Sequence, residues 1–286
     1  MNLNYLSPYI RRLHQVCTRG LSPAYIDSEY VFTHIFDGKG IFLLEDIKYT
    51  VKKGDMILMP PYMRHIINTD RDKGIDQYVI HFDVFFNEKR KGIIPKEEGM
   101  TFHQFVSDKN NPETILCEIP YLVSPGIKEQ KIVEKAFLEI KAEADSKKDF
   151  HELVMKEKML EILCVYLRMG LGKKDSGTKV SPKVWKNLDR AITYIHNNHT
   201  EPLTLEKISK EAGLSLNYFC QLFKDYTNTS VHRYLNTVRV EKAKKMLKDG
   251  KFNITQIAEE TGFSTVHLFS RIFSKIEGMP PSKYIR

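Results

Sequence analysis

The chain has 286 residues, enough for two domains each with its own core, and the composition of an ordinary globular protein. Its formal charge of +8 is confined to one end: residues 177–286 hold 18 Lys and Arg against 10 Asp and Glu, whereas residues 1–176 hold 26 of each. Cys17, Cys117, Cys164 and Cys220 are too scattered for a disulfide framework or a zinc knuckle. No apolar run nears the ~20 residues that cross a bilayer and no signal peptide is apparent, so the expected setting is the cytoplasm, with no membrane partner.

From Glu29 the sequence alternates at period two. Tyr30, Phe32, His34 and Phe36 share one face of a predicted strand, with Val31, Thr33 and Ile35 on the other. Gly38-Lys39-Gly40 reads as a turn, followed by strands Ile41–Leu44 and Ile47–Val51 about a bend at Glu45-Asp46. Lys53-Gly54-Asp55 and Pro60-Pro61 bracket the strand Met56–Met59, and Arg64–Asn68 and Gln77–Phe86 follow. Short strands joined by Gly and Pro turns predict a small sandwich or barrel. Such a body can hold a small molecule in an aromatic-lined pocket with a few polar groups, here Tyr30, His34, Arg64, His65 and His81. The three histidines could instead converge on a metal; hydrogen bonding to a ligand or to the wall is the favoured reading, and no cofactor is expected. Asn87 to Glu118 is polar and irregular, a surface excursion before a last strand at Ile115–Val123.

Ile132, Val133, Phe137, Ile140 and Ala144 form a helical stripe between Gly126 and Lys147. Asp149 is placed to cap a second helix, striped by Leu153, Leu160, Leu163 and Leu167 and stopped at Gly170 and Gly172. These two helices can cover an open sheet face, pair with those of a second chain, or do both. Residues 173–180 are polar, with Gly and Ser, and read as a linker.

Beyond it one pattern occurs twice. Leu205-x-x-Ile208-Ser209-x-x-x-Gly213-Leu214-Ser215 returns as Ile254-x-x-Ile257-Ala258-x-x-x-Gly262-Phe263-Ser264. Phe219, Phe223, Asn228 and Tyr234 return as Phe269, Phe273, Gly278 and Tyr284. Ser181-Pro182 opens a preceding helix, Thr204 and Ser215 cap the two short helices of the first copy, and Ser230 caps a long helix between the copies. In the second helix of each copy one face is apolar. The other carries Asn217, Cys220, Gln221 and Lys224 in the first copy, and Val266, His267, Ser270, Arg271 and Lys275 in the second. Amides and cations on the second helix of a helix-turn-helix suit the major groove of double-stranded DNA, where Arg271 is placed for a guanine. Arg233, Arg239, Lys242, Lys244 and Lys245 on the long helix supply charge for phosphates.

The run from Ile257 to Tyr284, with Gly262-Phe263, Phe269, Arg271, Phe273, Gly278 and Pro281, resembles the signature of the AraC/XylS family of bacterial transcription regulators, and Ser230 to Leu247 resembles its linker helix. Gly54-Asp55 through Pro60-Pro61 to His65 is similar to the second motif of the cupin barrel, and Tyr78–Phe82 to a strand closing such barrels in sugar-responsive regulators. The departures are Asn228 in place of Gly, Cys220 as a weak base reader, and Ile285 where an Arg often follows the tyrosine.

The resemblance implies a two-domain α+β protein. A cupin-like β-barrel with two flanking helices, residues 1–172, would bind a carbohydrate-like effector and dimerise, and an all-α double helix-turn-helix domain, residues 181–286, would bind DNA. It further implies an activator that forms a homodimer and contacts RNA polymerase, not an enzyme. A cupin metalloenzyme with a DNA-binding tail is the rival, but Thr33–Tyr49 holds His34 alone and lacks the His-x-His that metal-binding cupins supply.

Overall fold

A computed structural model describes residues 6–22, 24–70, 72–86, 100–108, 110–179, 182–227 and 229–284. Ser181, Asn228, Ile285 and, within the stretches named above, residues 87–99, 109 and 180 lie outside these. The chain divides into two compact units, residues 1–20 with 24–179, and residues 180–286 with 21–23.

Among the described residues the first unit is built on nine strands: β1 (Tyr9–Thr18), β2 (Tyr25–Ile26), β3 (Tyr30–Leu44), β4 (Ile47–Lys52), β5 (Met56–Met59), β6 (Arg64–Thr69), β7 (Ile75–Asp83), β8 (Leu122–Val123) and β9 (Thr178–Lys179). They form two antiparallel layers that share β3. Residues 30–38 of β3 pair with β7 and β5, whose outer neighbours are β1 and β8. Residues 39–44 pair with β4 and β6, which lead on to β9 and β2. The result is a cupin-like jelly roll whose sheet is not closed into the expected barrel.

Gly38-Lys39-Gly40 is not the expected turn. It lies within β3, where the strand passes from one layer to the other and its register against β7 slips between Ile35 and Asp37. Gly38 has φ +88° and a Cβ there would overlap the Gly74 carbonyl, so the glycines serve close backbone approach. The real turns are at Glu45-Asp46 and at Gly54, φ +93°. The strand expected at 115–123 is a 3-10 turn over Pro112–Leu116 followed by the two-residue β8. Before it, α1 (Phe102–Ser107) buries Phe105. β1 escaped sequence reading because a bulge between Ile10 and Arg12 breaks its alternation, putting Ile10 and Leu13 on one face while Val16 packs on the other.

Val31, Ile35, Phe42, Val51, Ile57, Met59, Ile67 and Val79 fill the space between the layers. On the outer side of the β7–β3–β5 layer, Tyr30, Phe32, Ile80 and Phe82 pack under α2 (Ile127–Ser146) and α3 (His151–Gly170). Tyr78 stacks on Phe137 at 4.1 Å and Tyr166 meets Phe32 edge-on at 5.9 Å. The helices thus cover a sheet face. Asp149 does not cap α3: Phe150 occupies that place in the left-handed conformation, with no side-chain cap.

The expected linker is partly structured. Thr178 and Lys179 pair with Lys48 and Ile47, extending β4. The Tyr49 hydroxyl donates to Asp175, and a Cβ on Gly177 would overlap Ile47 and the Tyr49 ring. One transverse row of paired residues runs through this layer from Tyr25 to His65, Leu44, Ile47 and Lys179.

The second unit is helical: α4 (Pro182–Asn198), α5 (Leu205–Glu211), α6 (Leu216–Thr227), α7 (Val231–Asp249), α8 (Ile254–Glu260), α9 (Val266–Glu277) and α10 (Pro281–Tyr284). The duplication is physical. Phe219–Phe223 and Phe223–Tyr234 lie 5.7 and 5.5 Å apart, and Phe269–Phe273 and Phe273–Tyr284 both 5.5 Å.

Candidate functional site

In the helical unit, α5–α6 and α8–α9 each form two short helices about a left-handed glycine, Gly213 with φ +69° and Gly262 with φ +81°. Thr204 accepts from the Lys207 amide, Thr265 from Leu268, and Asn253 forms a reciprocal capping box with Gln256. Burial of Phe219, Leu222 and Phe223 in α6, and of Phe269 and Phe273 in α9, fixes which face turns outward. Asn217, Gln221, Lys224, His267, Arg271 and Lys275 are exposed, while Cys220, Val266 and Ser270 are half-buried. The Gln221 amide donates to Asp225 at 2.8 Å. Asp225 stands where the second copy has Lys275, so the two faces differ in charge as well as in side-chain type.

The cations of α7 divide. Arg233, Lys242 and Lys245 are exposed. Lys244 is instead held by Glu241 at 2.9 Å and Glu277 at 3.2 Å. Arg239 is 9% exposed and donates to the carbonyls of His199 and Glu201. Neither is placed as the phosphate contact expected from its position in the sequence.

In the jelly roll the five expected pocket residues do not gather. Tyr30 lies in the core beneath the helices, its hydroxyl donating to the Glu113 carbonyl. His34 is buried on that same side, with Nε2 3.4 Å from Glu134 on α2, so it cannot join the other two histidines on one metal. The Arg64 amide donates to Glu45, and strand alternation puts its side chain on the face opposite His65. His65 and His81 do come together, at 3.9 and 3.7 Å from Asp27.

Around them stand residues that sequence reading missed. Arg12 donates to Glu29 at 3.0 Å and to Nδ1 of His81 at 3.0 Å, and lies 3.5 Å from Asp27. Because a guanidinium only donates, His81 Nδ1 accepts and the ring is neutral, its proton on Nε2. Burial lowers His81 to about 4 against the pull of Asp27, with Arg12 adding to the depression. Burial likewise lowers His65, against Asp27, and lowers His14, with Arg12 helping. Burial works to raise Glu29, but the Ser28 hydroxyl and Arg12 outweigh it and its carboxyl sits below the ordinary value. The rings of Tyr25 and His14 flank the cluster, 5.6 Å from His65 and 5.2 Å from His81. Asp27, Glu29 and His81 bring one ligand atom each within 4.8 Å of one another, the spread a metal ion could bridge, but Arg12 already supplies a cation to all three. A cavity of about 550 Å³ between the start of β1 and the α2–α3 hairpin is lined by none of these residues.

A jelly roll with a polar cluster and a pair of helix-turn-helix units defines a regulator that joins a sensor to a DNA reader. Residues 17–108 match the model of the AraC-like ligand binding domain and residues 208–286 that of a helix-turn-helix domain. The chain belongs to the AraC family of transcriptional regulators. It is 32% identical over 105 residues to the uncharacterized HTH-type transcriptional regulator YobQ of Bacillus subtilis, covering 37% of this chain and 44% of YobQ. Against the Msm operon regulatory protein of Streptococcus mutans it is 23% identical over 270 residues, 94% of this chain and 88% of that one. Among solved structures, the C-terminal domain of AraT from Geobacillus stearothermophilus is similar at 33% identity and TM-score 0.34, over 35% of this chain and 84% of that chain.

Proposed function

We propose that this protein is a sequence-specific activator whose DNA binding is controlled by a carbohydrate-like effector seated at Arg12, Asp27, Glu29, His65 and His81. One observation carries the effector class: two carboxylates, a guanidinium and two neutral imidazoles meet beside aromatic rings. Vicinal hydroxyls both donate and accept, which suits paired carboxylates and an arginine fork, and ring faces take the apolar side of a sugar. On the DNA side, α6 and α9 enter successive major grooves, and Asn217, Cys220, Gln221, Lys224, Val266, His267, Ser270, Arg271 and Lys275 line the faces turned to the bases. The 19-residue α7 spans about 28 Å and sets the readers near one helical turn apart.

Two chains pair through the solvent side of the α2–α3 hairpin, where Leu138, Leu153 and Val154 are exposed, and the bound dimer contacts RNA polymerase. No described helix is long and apolar enough to cross a membrane, and the protein works in the cytoplasm.

The test is thermal-shift titration of the whole chain with sugars and sugar acids. One of them should raise the melting temperature saturably, and Asp27→Asn should abolish the rise. A rise that survives Asp27→Asn moves the effector elsewhere. In a random-oligonucleotide selection a two-part site should emerge; enrichment of no sequence would mark a non-specific binder instead.

A further inference from the structure

Arg239 is a buried cation whose two hydrogen-bond partners are main-chain carbonyls. It projects from the middle of α7. Nε donates to the His199 carbonyl at 2.7 Å, Nη2 donates to the Glu201 carbonyl at 2.8 Å, and the guanidinium lies 5.7 Å from the centre of the Phe263 ring. Burying a charge costs free energy unless its hydrogen bonds are made, and here the fork makes two while the charge sits over an aromatic ring. Lysine has the charge but neither the fork nor the plane.

The partners belong to opposite copies. His199 and Glu201 lie in the loop that delivers Thr204, the cap of α5, and so set where the first helix-turn-helix begins. Phe263 is in the turn of the second, packed on Phe269 at 5.3 Å. The neighbouring Gly262 brings that turn against the same loop: a Cβ there would stand 2.6 Å from the His199 carbonyl oxygen and 2.7 Å from that of Thr200. At the α7–α8 junction, by contrast, Gly250 has nothing within 4 Å of a would-be Cβ. A helix with a bare turn at one end leaves its two passengers free to swing. A third contact between them removes that freedom.

We propose that Arg239 is a positioning residue that fixes the distance and angle between the two DNA-reading helices, and so sets the spacing of the two halves of the site one chain accepts. This rests on the two-reader function proposed above. Inserting one base pair moves the second subsite by about 3.4 Å and turns it by about 34–36° about the duplex axis, so a rigid pair of readers cannot engage both.

The test uses the full chain and duplexes built from the selected site, with zero, one or two base pairs added or removed between its halves. Wild-type affinity should fall by about tenfold or more at each step away from the best spacing, because simultaneous engagement is lost. Arg239→Met should bind the best spacing more weakly, vary by less than about threefold across the series, and bind an isolated second subsite as the wild type does. Arg239→Lys, which keeps the charge, should flatten the series too. If Arg239→Met is too poorly folded to assay, Arg239→Lys and Phe263→Leu carry the test. Weaker binding by the same factor at every spacing, with the wild-type preference kept, would mean that Arg239 only stabilises the fold and would overturn the proposal. A flat series for the wild type itself would overturn the two-reader function along with it.

Discussion

The two helix-turn-helix copies share an aromatic stack to within 0.2 Å in ring spacing (5.7 and 5.5 Å against 5.5 and 5.5 Å) but are held differently. In the first, a Cβ on the turn glycine Gly213 would meet only the Arg190 guanidinium, at 3.6 Å. In the second, Gly262 is pinched against two carbonyls, Phe263 lies under Arg239, and Lys244 ties α7 to Glu277 of α9. Their outward faces differ too: Gln221 is engaged by Asp225, whereas Arg271 is exposed with Lys275 one turn on. Duplication kept the packing and let the fastening and the reading surface diverge. The second copy has the tighter seat and the more cationic outward face.

The sharpest way to break this comparison is at the turns. Gly262→Ala should destabilise the helical unit by about 3 kcal/mol or more, a left-handed penalty plus overpacking, and Gly213→Ala by about 1–2 kcal/mol from the penalty alone. Equal losses in chemical denaturation would show that the pinch on Gly262 has no energetic weight. Next come the readers. Arg271→Ala should lose about 1–3 kcal/mol of discrimination at one base pair. Gln221→Ala should lose less, because one amide hydrogen is already committed, and base-resolved selection compares the two directly.

The caps follow. Asn253→Ala removes a reciprocal box and should cost about 1 kcal/mol, Thr204→Ala somewhat less, both read as melting temperature. The smallest effect is expected from Asp225→Asn. Removing an acid from the first reading face should strengthen binding by about threefold or less at every sequence, by relieving repulsion of phosphates. A change in base preference there would instead mean that Asp225 orients Gln221 in the complex.

The duplicated unit was the most legible part of the chain because local rules and packing agree there. Glycine marks each turn, Thr204 and Ser230 cap where their side chains suggest, and the phenylalanines recur at helical spacing. The jelly roll was legible in kind but not in detail. Gly38 and Gly40 carry a turn's signature yet relieve backbone contact inside one long strand, and the bulge at Ile10/Arg12 broke the period-two pattern of β1. Missing β1 also hid Arg12, and with it the cluster: Asp27 and Glu29 look like solvated acids until a guanidinium is placed between them. Arg239 shows the same limit, for nothing in a run of basic residues marks the one that turns inward.

Residues 178–179 add an outer strand to the layer that holds the polar cluster. His65 and Lys179 stand in one row, three strand pairings apart, about 14 Å. A shift of β6 at the cluster therefore needs to cross only β3 and β4 to reach β9.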